Sequence, residues 1–242
     1  MLNTLKYIAR LPARTWRRIG IDRRWPALPG GRSWRSSIPL AMHVSFYRGL
    51  IQYQHRDIPM QKHPIEVALY PRLVWAVKPR TIIEVGSFAG GSAAWLADML
   101  TSYGIDGRVV SVDIKPPSPS YQPANVTFLK GDTKNLGATL DADFLATLPR
   151  PWLVIEDAGH DYAGTIAVMR FFDPLLQSGE YIVVEDANVA EMGEDVRLDG
   201  GPGRAIAEFL NARGSSYVID ARYCDLYGSN VTGNPNGYLL KK

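Results

Sequence analysis

The chain has little cysteine and no long apolar run. Cys224 is its one cysteine, which excludes an internal disulfide and a cysteine-based zinc site. We therefore interpret Cys224 as a buried or half-buried thiol. No apolar run approaches the roughly 18 residues that a transmembrane helix needs, and the N-terminal residues lack the continuous apolar core of a secretory signal. Together these absences predict a cytoplasmic protein.

Positive charge is concentrated at one end of the chain. Residues 1–36 contain nine Lys and Arg and one acid, a net charge of +8, and the whole chain carries +3, which leaves −5 for the rest. An acidic body argues against a nucleic-acid partner. We predict a basic N-terminal extension over residues 1–40, which includes a linker at residues 25–38. Its apolar residues suit packing on its own domain or on a partner subunit, or peripheral contact with an anionic membrane.

After residue 64 the pattern alternates between strands and helices. Helices are predicted at residues 65–77, 91–103, 164–176 and 203–212. Strands are predicted at residues 81–85, 108–112, 126–129, 152–155, 181–184, 217–219 and 237–240. Apolar strands joined by helical crossovers predict an α/β fold, in which a parallel sheet is covered by helices on both faces. We expect one domain over residues 41–242, whose last two strands form a hairpin-like pair.

Residues 39–63 show no regular pattern and are predicted to be irregular. They contain His43, His55 and His63, which do not have the spacing of metal ligands. We interpret each of them as a surface or capping histidine.

A glycine turn follows the first predicted strand, in the run Thr81–Ser92. Backbone amides at a strand end and helix start form a pocket for the polar part of a cofactor. A dinucleotide site needs a second glycine where this chain has Phe88, whose side chain would obstruct a pyrophosphate. Glu84 adds an anion, which suits the sulfonium and ammonium groups of S-adenosylmethionine. The predicted cofactor contacts in this run are Glu84, Gly86, Ser87, Phe88, Gly90, Gly91 and Ser92.

Two further acids follow the next two predicted strands. Ligands of open α/β sheets bind beyond the carboxyl ends of the strands. A carboxylate at Asp113 can accept hydrogen bonds from both hydroxyls of a ribose. Asp132, after the third strand, suits the edge of an adenine. These positions extend the predicted cofactor site across the sheet.

Acid clusters also follow the fourth and fifth predicted strands. If these strands are neighbours, Asp157, Glu185 and Asp186 meet, and a divalent cation, Mg²⁺ by preference, would neutralise them. Asp157 would also border the cofactor. His160 is then placed to take a hydroxyl proton. Three alternatives stay open. Asp161 is a rival base and Glu156 a rival ligand. The acids could cap helices without any metal, and His160 could be structural.

Five segments together resemble the cephalosporin hydroxylase-like family of class I methyltransferases, which includes rhamnosyl O-methyltransferases. They are residues 79–93, 154–162, 179–186, 201–210 and 234–239. The likeness runs from about residue 45 to the end of the chain and leaves out residues 1–40. It implies a Rossmann-like sheet of seven strands, S-adenosylmethionine, and a divalent metal held by Asp157, Glu185 and Asp186. The broader catechol-type methyltransferases are similar at this site but carry a lysine base where this chain has His160.

These observations predict an S-adenosylmethionine-dependent, Mg²⁺-dependent O-methyltransferase. The expected acceptor is a hydroxyl of a sugar, a glycolipid or a hydroxylated natural product, and a homo-oligomer is expected. One alternative is an NAD-linked oxidoreductase or hydroxylase-type enzyme, against which Phe88 argues. Another is a non-catalytic partner subunit, against which the complete set of acids argues.

Overall fold

A computed structural model describes residues 25–194 and 196–242 of the chain. The basic, amphipathic part of the predicted extension, residues 1–24, lies outside the described residues. The prediction that it touches a membrane or a partner therefore stays a prediction. The division of the chain at residue 40 also stays a prediction.

Seven strands form one sheet in the order β5-β4-β3-β6-β7-β9-β8. They are β3 (Thr81–Val85), β4 (Arg108–Asp113), β5 (Val126–Lys130), β6 (Trp152–Glu156), β7 (Tyr181–Val184), β8 (Tyr217–Ile219) and β9 (Tyr238–Lys241). The neighbours from β5 to β7 are parallel, and β9 runs antiparallel to both β7 and β8. The predicted strand bounds agree with these to within one residue, and the pairing of the last two strands is confirmed.

Helices cover both faces of the sheet, as predicted. They are α1 (Leu40–Leu50), α2 (Pro64–Val77), α3 (Gly91–Ser102), α4 (Ala142–Ala146), α5 (Tyr162–Phe172), α6 (Gly201–Arg213) and α7 (Ala221–Cys224). Cys224 is buried and unpaired. Within the described ranges no helix has both the length and the apolar character needed to cross a membrane.

Alternate residues of each central strand enter two separate cores. On β3, Ile83 packs in a core with residues of α5 and α6, such as Met169 and Phe209. Its neighbour Ile82 packs in the other core, with residues of α2 and α3 such as Leu73. Both faces of a parallel strand are thus apolar, which explains why the strands are continuous apolar runs in the sequence.

The prediction that residues 39–63 are irregular was wrong. Residues 40–50 form α1, and a two-stranded antiparallel ribbon follows, made of β1 (Gln54–His55) and β2 (Ile58–Pro59). In α1 only Leu40 and His43 are buried, so a helical apolar stripe is hardly visible in the sequence. His43 is therefore not a surface histidine. His63 lies at the N-cap position of α2, with its Nδ1 3.3 Å from the Ile65 nitrogen.

Residues 25–38 are not a free linker. Leu28 and Trp34 are buried in the core that contains α5 and α6. Arg32 makes a two-pronged ion pair with Asp225, with N–O distances of 2.6 and 2.8 Å. The prediction rested on Pro, Gly and Ser content, and large apolar side chains overrode it because their burial stabilises the packed state.

Candidate functional site

The carboxyl ends of β3, β6 and β7 lie side by side and bring the predicted metal acids together. In register, Val85 pairs with Glu156, which pairs with Val184. The Asp157 N–H then donates to the Val85 carbonyl at 2.8 Å, and the Glu185 N–H donates to the Glu156 carbonyl at 2.9 Å. The two acid clusters therefore follow neighbouring strands at the same level, as the sequence predicted.

A cleft of about 400 Å³ opens at this edge of the sheet. One part of its lining is polar and comes from the strand ends and the residues before α2. These residues are Lys62, His63, Gly86, Ser87, Ser92, Asp157, His160 and Asp186. The lining also includes apolar side chains, namely Leu50, Met60, Val189, Met192 and Leu198. The cleft thus offers both charged and apolar side chains to one ligand.

The glycine turn contributes residues to the lining of this cleft. Its backbone packs closely against the backbone of two other segments. Gly86 has φ +108°, and a Cβ there would lie 2.0 Å from the Asp157 carbonyl oxygen. A Cβ on Gly91 would lie 2.4 Å from the Pro59 carbonyl oxygen. Only glycine fits either position, so this turn requires its glycines. Phe88 lines the cleft and is 60% exposed.

Glu84 is fully buried near the end of β3 and is not among the residues that line the cleft. Its Oε2 accepts from the Ser111 hydroxyl at 2.5 Å, and that hydroxyl also bonds the Ser87 hydroxyl at 2.7 Å. Its Oε1 is buried without a hydrogen-bond partner among the described residues. Burial raises the pKa of Glu84, although the charge of Lys62 and the Ser111 hydroxyl act in the opposite direction.

Asp113 braces the turn and keeps limited capacity for a ligand. Its Oδ2 accepts from the backbone N–H groups of Ser87 and Phe88 at 2.9 and 3.2 Å, and its Oδ1 accepts from the backbone N–H of Lys115 at 2.8 Å. A carboxylate has about four acceptor positions, so about one remains. A bond to both hydroxyls of a ribose would need the backbone contacts to loosen.

Two predicted residues serve as helix caps. Asp132 is exposed, is absent from the cleft lining, and accepts from the Lys134 N–H at the start of a short 3-10 helix. Asp161 caps α5 by accepting from the Gly164 N–H at 3.0 Å. The structure brings neither residue together with the cleft acids, and a cap of this kind is a sufficient reason for an acid there.

Three side chains at the strand ends can hold a metal ion. Each of Asp157, His160 and Asp186 offers a ligand atom, and these atoms lie within 4.8 Å of one another. The His160 Nε2 is 3.4 Å from Asp186 Oδ2. Two carboxylates favour a hard cation such as Mg²⁺. The predicted pairing of Asp157 with Asp186 is therefore present, with His160 beside it.

Glu185 points to a different partner, which the sequence analysis missed. Its Oε1 accepts from Lys62 Nζ at 2.6 Å and from the Tyr70 hydroxyl at 2.5 Å. The same ammonium lies 2.5 Å from Asp157 Oδ2. Tyr70 is itself fully buried and packs against Trp95 with ring centroids 5.9 Å apart. The proposed metal role of Glu185 stays a prediction that competes with this ion pair.

Burial and charge oppose each other throughout the cluster. Burial lowers the pKa of Lys62, but the charges of Asp157 and Glu185 outweigh it, and the net shift is upward. Burial raises the pKa of Asp186, against the attraction of His160. For His160, burial lowers the pKa and Asp186 raises it, and the net shift is upward. The site therefore concentrates negative charge that a cation stabilises.

Lys62 and His63 carry polar groups into the cleft from a segment that sequence reasoning left as irregular. They precede Pro64, which occupies the first turn of α2. The available signal was a run of two basic side chains immediately before a predicted helix start. Because Asp157 and Glu185 lie far from Lys62 in the sequence, no local pattern links this lysine to those acids.

The family model for rhamnosyl O-methyltransferase/CmcI matches residues 48–242. A rhamnosyl O-methyltransferase of Mycobacterium leprae (strain TN) is 29% identical over 179 residues, which are 72% of this chain and 76% of that protein. The one of Mycobacterium tuberculosis (strain H37Rv) is 28% identical over 208 residues, 82% and 83% of the two chains. A solved structure of CmcI with Mg and SAM is 27% identical, with a TM-score of 0.60, and 89% of this chain and 90% of that chain are covered.

Proposed function

The chain belongs to the rhamnosyl O-methyltransferase/CmcI family and is an S-adenosylmethionine-dependent O-methyltransferase, and we propose that it methylates a hydroxyl of a sugar with the help of Mg²⁺. The observation that carries this proposal is the convergence of Asp157, His160 and Asp186 beside the glycine turn in one cleft. Membership of this family argues against both alternatives, an NAD-linked enzyme and a non-catalytic partner subunit.

The residues around the turn fit S-adenosylmethionine. The buried carboxylate of Glu84, at the end of the strand that precedes the turn, places an acid near a cofactor that carries positive charge. Phe88 stands where a dinucleotide site needs glycine. When bound, this cofactor supplies an electrophilic methyl group on a positively charged sulfur. The relative CmcI has been solved with Mg and SAM, which supports the assignment.

The carboxylates also fit a divalent ion. Asp157 and Asp186 would hold it, and its chemistry is to lower the pKa of a bound hydroxyl. Hard oxygen ligands suit Mg²⁺ better than a softer metal. Lys62 neutralises part of the same cluster, so we assign it to the support of Asp157 and Glu185.

His160 is the residue that takes the proton. Its Nε2 faces Asp186 at 3.4 Å, and the imidazolium formed would be stabilised by the neighbouring carboxylates. His160 would take the proton of the acceptor hydroxyl, and the bound cofactor would supply the methyl group that this oxygen receives. The enzyme contributes mainly position and orientation, worth on the order of 7 kcal/mol or more.

The lining of the cleft supports a sugar that carries an apolar group. Polar residues border the reacting position, and Tyr47 and Phe88 also line the cleft, with side chains that are 52% and 60% exposed. A free sugar would leave these rings in contact with water, whereas an alkyl or lipid aglycone would cover them. A rhamnoside with an apolar aglycone is therefore the acceptor that we propose.

The test combines binding with turnover. Calorimetry with S-adenosylhomocysteine, with and without Mg²⁺, measures cofactor and metal binding. Methyl transfer from labelled S-adenosylmethionine to alkyl rhamnosides measures the reaction.

Asp157→Ala should abolish Mg²⁺-dependent turnover and leave cofactor binding within about tenfold, because Asp157 is a metal ligand. The matched control is Asp141→Ala, since Asp141 caps α4 outside the cleft. Activity that is unaffected by EDTA would remove the metal from the mechanism.

A further inference from the structure

A buried histidine–carboxylate pair lies in the cleft wall, separate from the Asp157, His160 and Asp186 cluster. The His63 Nδ1 is 2.8 Å from Glu66 Oε2, and the two side chains are 7% and 0% exposed. The Glu66 carboxylate is held by the Gly233 N–H at 3.2 and 3.3 Å and by the Thr232 hydroxyl. Such a network holds the imidazole in one orientation.

The chemistry of the pair determines which ring nitrogen is free. A carboxylate only accepts hydrogen bonds, so the His63 Nδ1 that faces Glu66 at 2.8 Å carries the hydrogen. The Ile65 N–H approaches the same nitrogen at the longer distance of 3.3 Å and is the weaker contact. The Nε2 of the neutral ring is then an acceptor. It is buried and has no partner among the described residues, although His63 lines the cleft.

One short loop ties this pair to the proposed metal site. Gly233 donates its N–H to Glu66, and the next residue, Asn234, accepts the Asp186 N–H at 2.9 Å through its Oδ1. Rings on α1 also hold the imidazole, since Phe46 packs edge-on against His63 at 5.1 Å between ring centroids. The free Nε2 and the reacting position thus belong to one rigid unit.

We propose that His63 accepts, through Nε2, a hydrogen bond from a second hydroxyl of the sugar and thereby selects the hydroxyl that is methylated. This inference rests on the proposed function. Adjacent ring hydroxyls of a sugar are neighbours, so one can lie at Asp186 while the other satisfies His63. Glu66 is a positioning residue that acts through the imidazole.

Two substitutions separate the role of the free nitrogen from the structural role of the ring. The amide of His63→Asn ends near the place of Nδ1, so it can keep the contacts with Glu66 and the helix start but cannot reach the cleft. The amide of His63→Gln reaches the place of Nε2. Both variants are compared with the unsubstituted full-length protein, with alkyl rhamnoside and its monodeoxy analogues as acceptors.

We expect His63→Asn to lower kcat/KM for the rhamnoside by about 10- to 100-fold, mainly through KM, because a buried polar group loses its partner. His63→Gln should recover most of the loss, and both variants should bind S-adenosylhomocysteine as the parent does. One monodeoxy analogue, the one that lacks the hydroxyl bound by His63, should have a low kcat/KM with the parent. His63→Asn should not lower the kcat/KM for this analogue any further.

Two results would overturn the inference alone. One is a kcat/KM of His63→Asn for the rhamnoside within about twofold of the parent's, because the loss of one hydrogen bond should cost more than that. The other is that each monodeoxy analogue lowers kcat/KM, relative to the rhamnoside, by the same factor in the parent and in His63→Asn. If the parent methylates no glycoside, the proposed function itself fails, and this inference fails with it.

Discussion

The ammonium nitrogen of Lys62 lies 2.5 Å from Oδ2 of Asp157, although 95 residues separate them in the chain. The side chain of Lys62 is 1% exposed, and it also reaches Glu185 at 2.6 Å. A lysine of the protein thus shares a carboxylate with the proposed metal ion. This relationship explains how several buried acids coexist at one edge of the sheet.

Removal of that lysine should make the protein dependent on the metal for stability. Lys62→Met leaves the buried Glu185 and the half-buried Asp157 without their partner, and we expect a loss of about 3–5 kcal/mol in EDTA. Mg²⁺ should restore more stability to the variant than to the parent, because a cation can take over part of the neutralisation. Thermal unfolding with EDTA and with Mg²⁺ measures both effects.

The control for that experiment is Lys134→Met, which changes an exposed lysine. It should leave the unfolding midpoint nearly unchanged in either buffer. Equal destabilisation of the two variants would show that the buried ion pairs of Lys62 do not stabilise the fold more than an exposed lysine does.

Loss of the proposed base should slow the chemical step. We expect His160→Ala to reduce methyl transfer by roughly 10²–10⁴-fold, the usual effect of a removed general base. Single-turnover kinetics with saturating cofactor isolates this step. Asp161→Ser is the matched control, because serine keeps the cap of α5 and removes the rival carboxylate. A change below about threefold in His160→Ala would transfer the role to Asp161 or to water.

Glu156 should make the metal-free protein less stable as the pH rises. Burial raises the pKa of Glu156 from 4.5 to about 7, against the attraction of His160. Below 4.5 the carboxyl is protonated in both the folded and the unfolded protein and costs nothing. Between 4.5 and 7 only the folded protein keeps the proton, so stability falls with rising pH, and the full cost persists above 7.

Glu156→Gln removes that ionisation. Its free energy of unfolding should exceed that of the parent by on the order of 3 kcal/mol at pH 8, and the two should agree near pH 4. Urea unfolding in EDTA across this range measures the difference. Asp106→Asn, at an exposed carboxylate, should show no such pH-dependent gain. A constant difference between Glu156→Gln and the parent at every pH would refute the explanation.

The segment before α1 should contribute to stability as part of the core. Trp34 is 4% exposed, its ring meets Trp25 edge-on at 5.8 Å, and its indole N–H donates to the Pro26 carbonyl at 2.8 Å. We expect Trp34→Ala to cost about 3–5 kcal/mol. Trp75→Ala, at a side chain that is 55% exposed, should cost much less in the same urea titration. If Trp34→Ala left the free energy of unfolding nearly unchanged, residues 25–38 would be a linker that does not stabilise the core.

The sheet could be predicted from the sequence because its strands are short apolar runs in a regular alternation with helices. The same rule placed Glu84, Asp157 and Asp186 at strand ends, since parallel strands end at one edge. The helix at residues 40–50 could not be predicted this way. It buries only Leu40 and His43, so its sequence lacks the apolar periodicity on which the prediction depends.

The sequence by itself determined the α/β architecture, the glycine turn and the row of acids, because each of these is written in local patterns of two to four residues. Only the tertiary structure decided that Lys62 meets Asp157 and Glu185, and that His63, which pairs locally with Glu66, lines the cleft. Ion pairs and buried hydrogen bonds depend on distance in space, and folding brings together residues whose separation in the chain carries no signal of their contact.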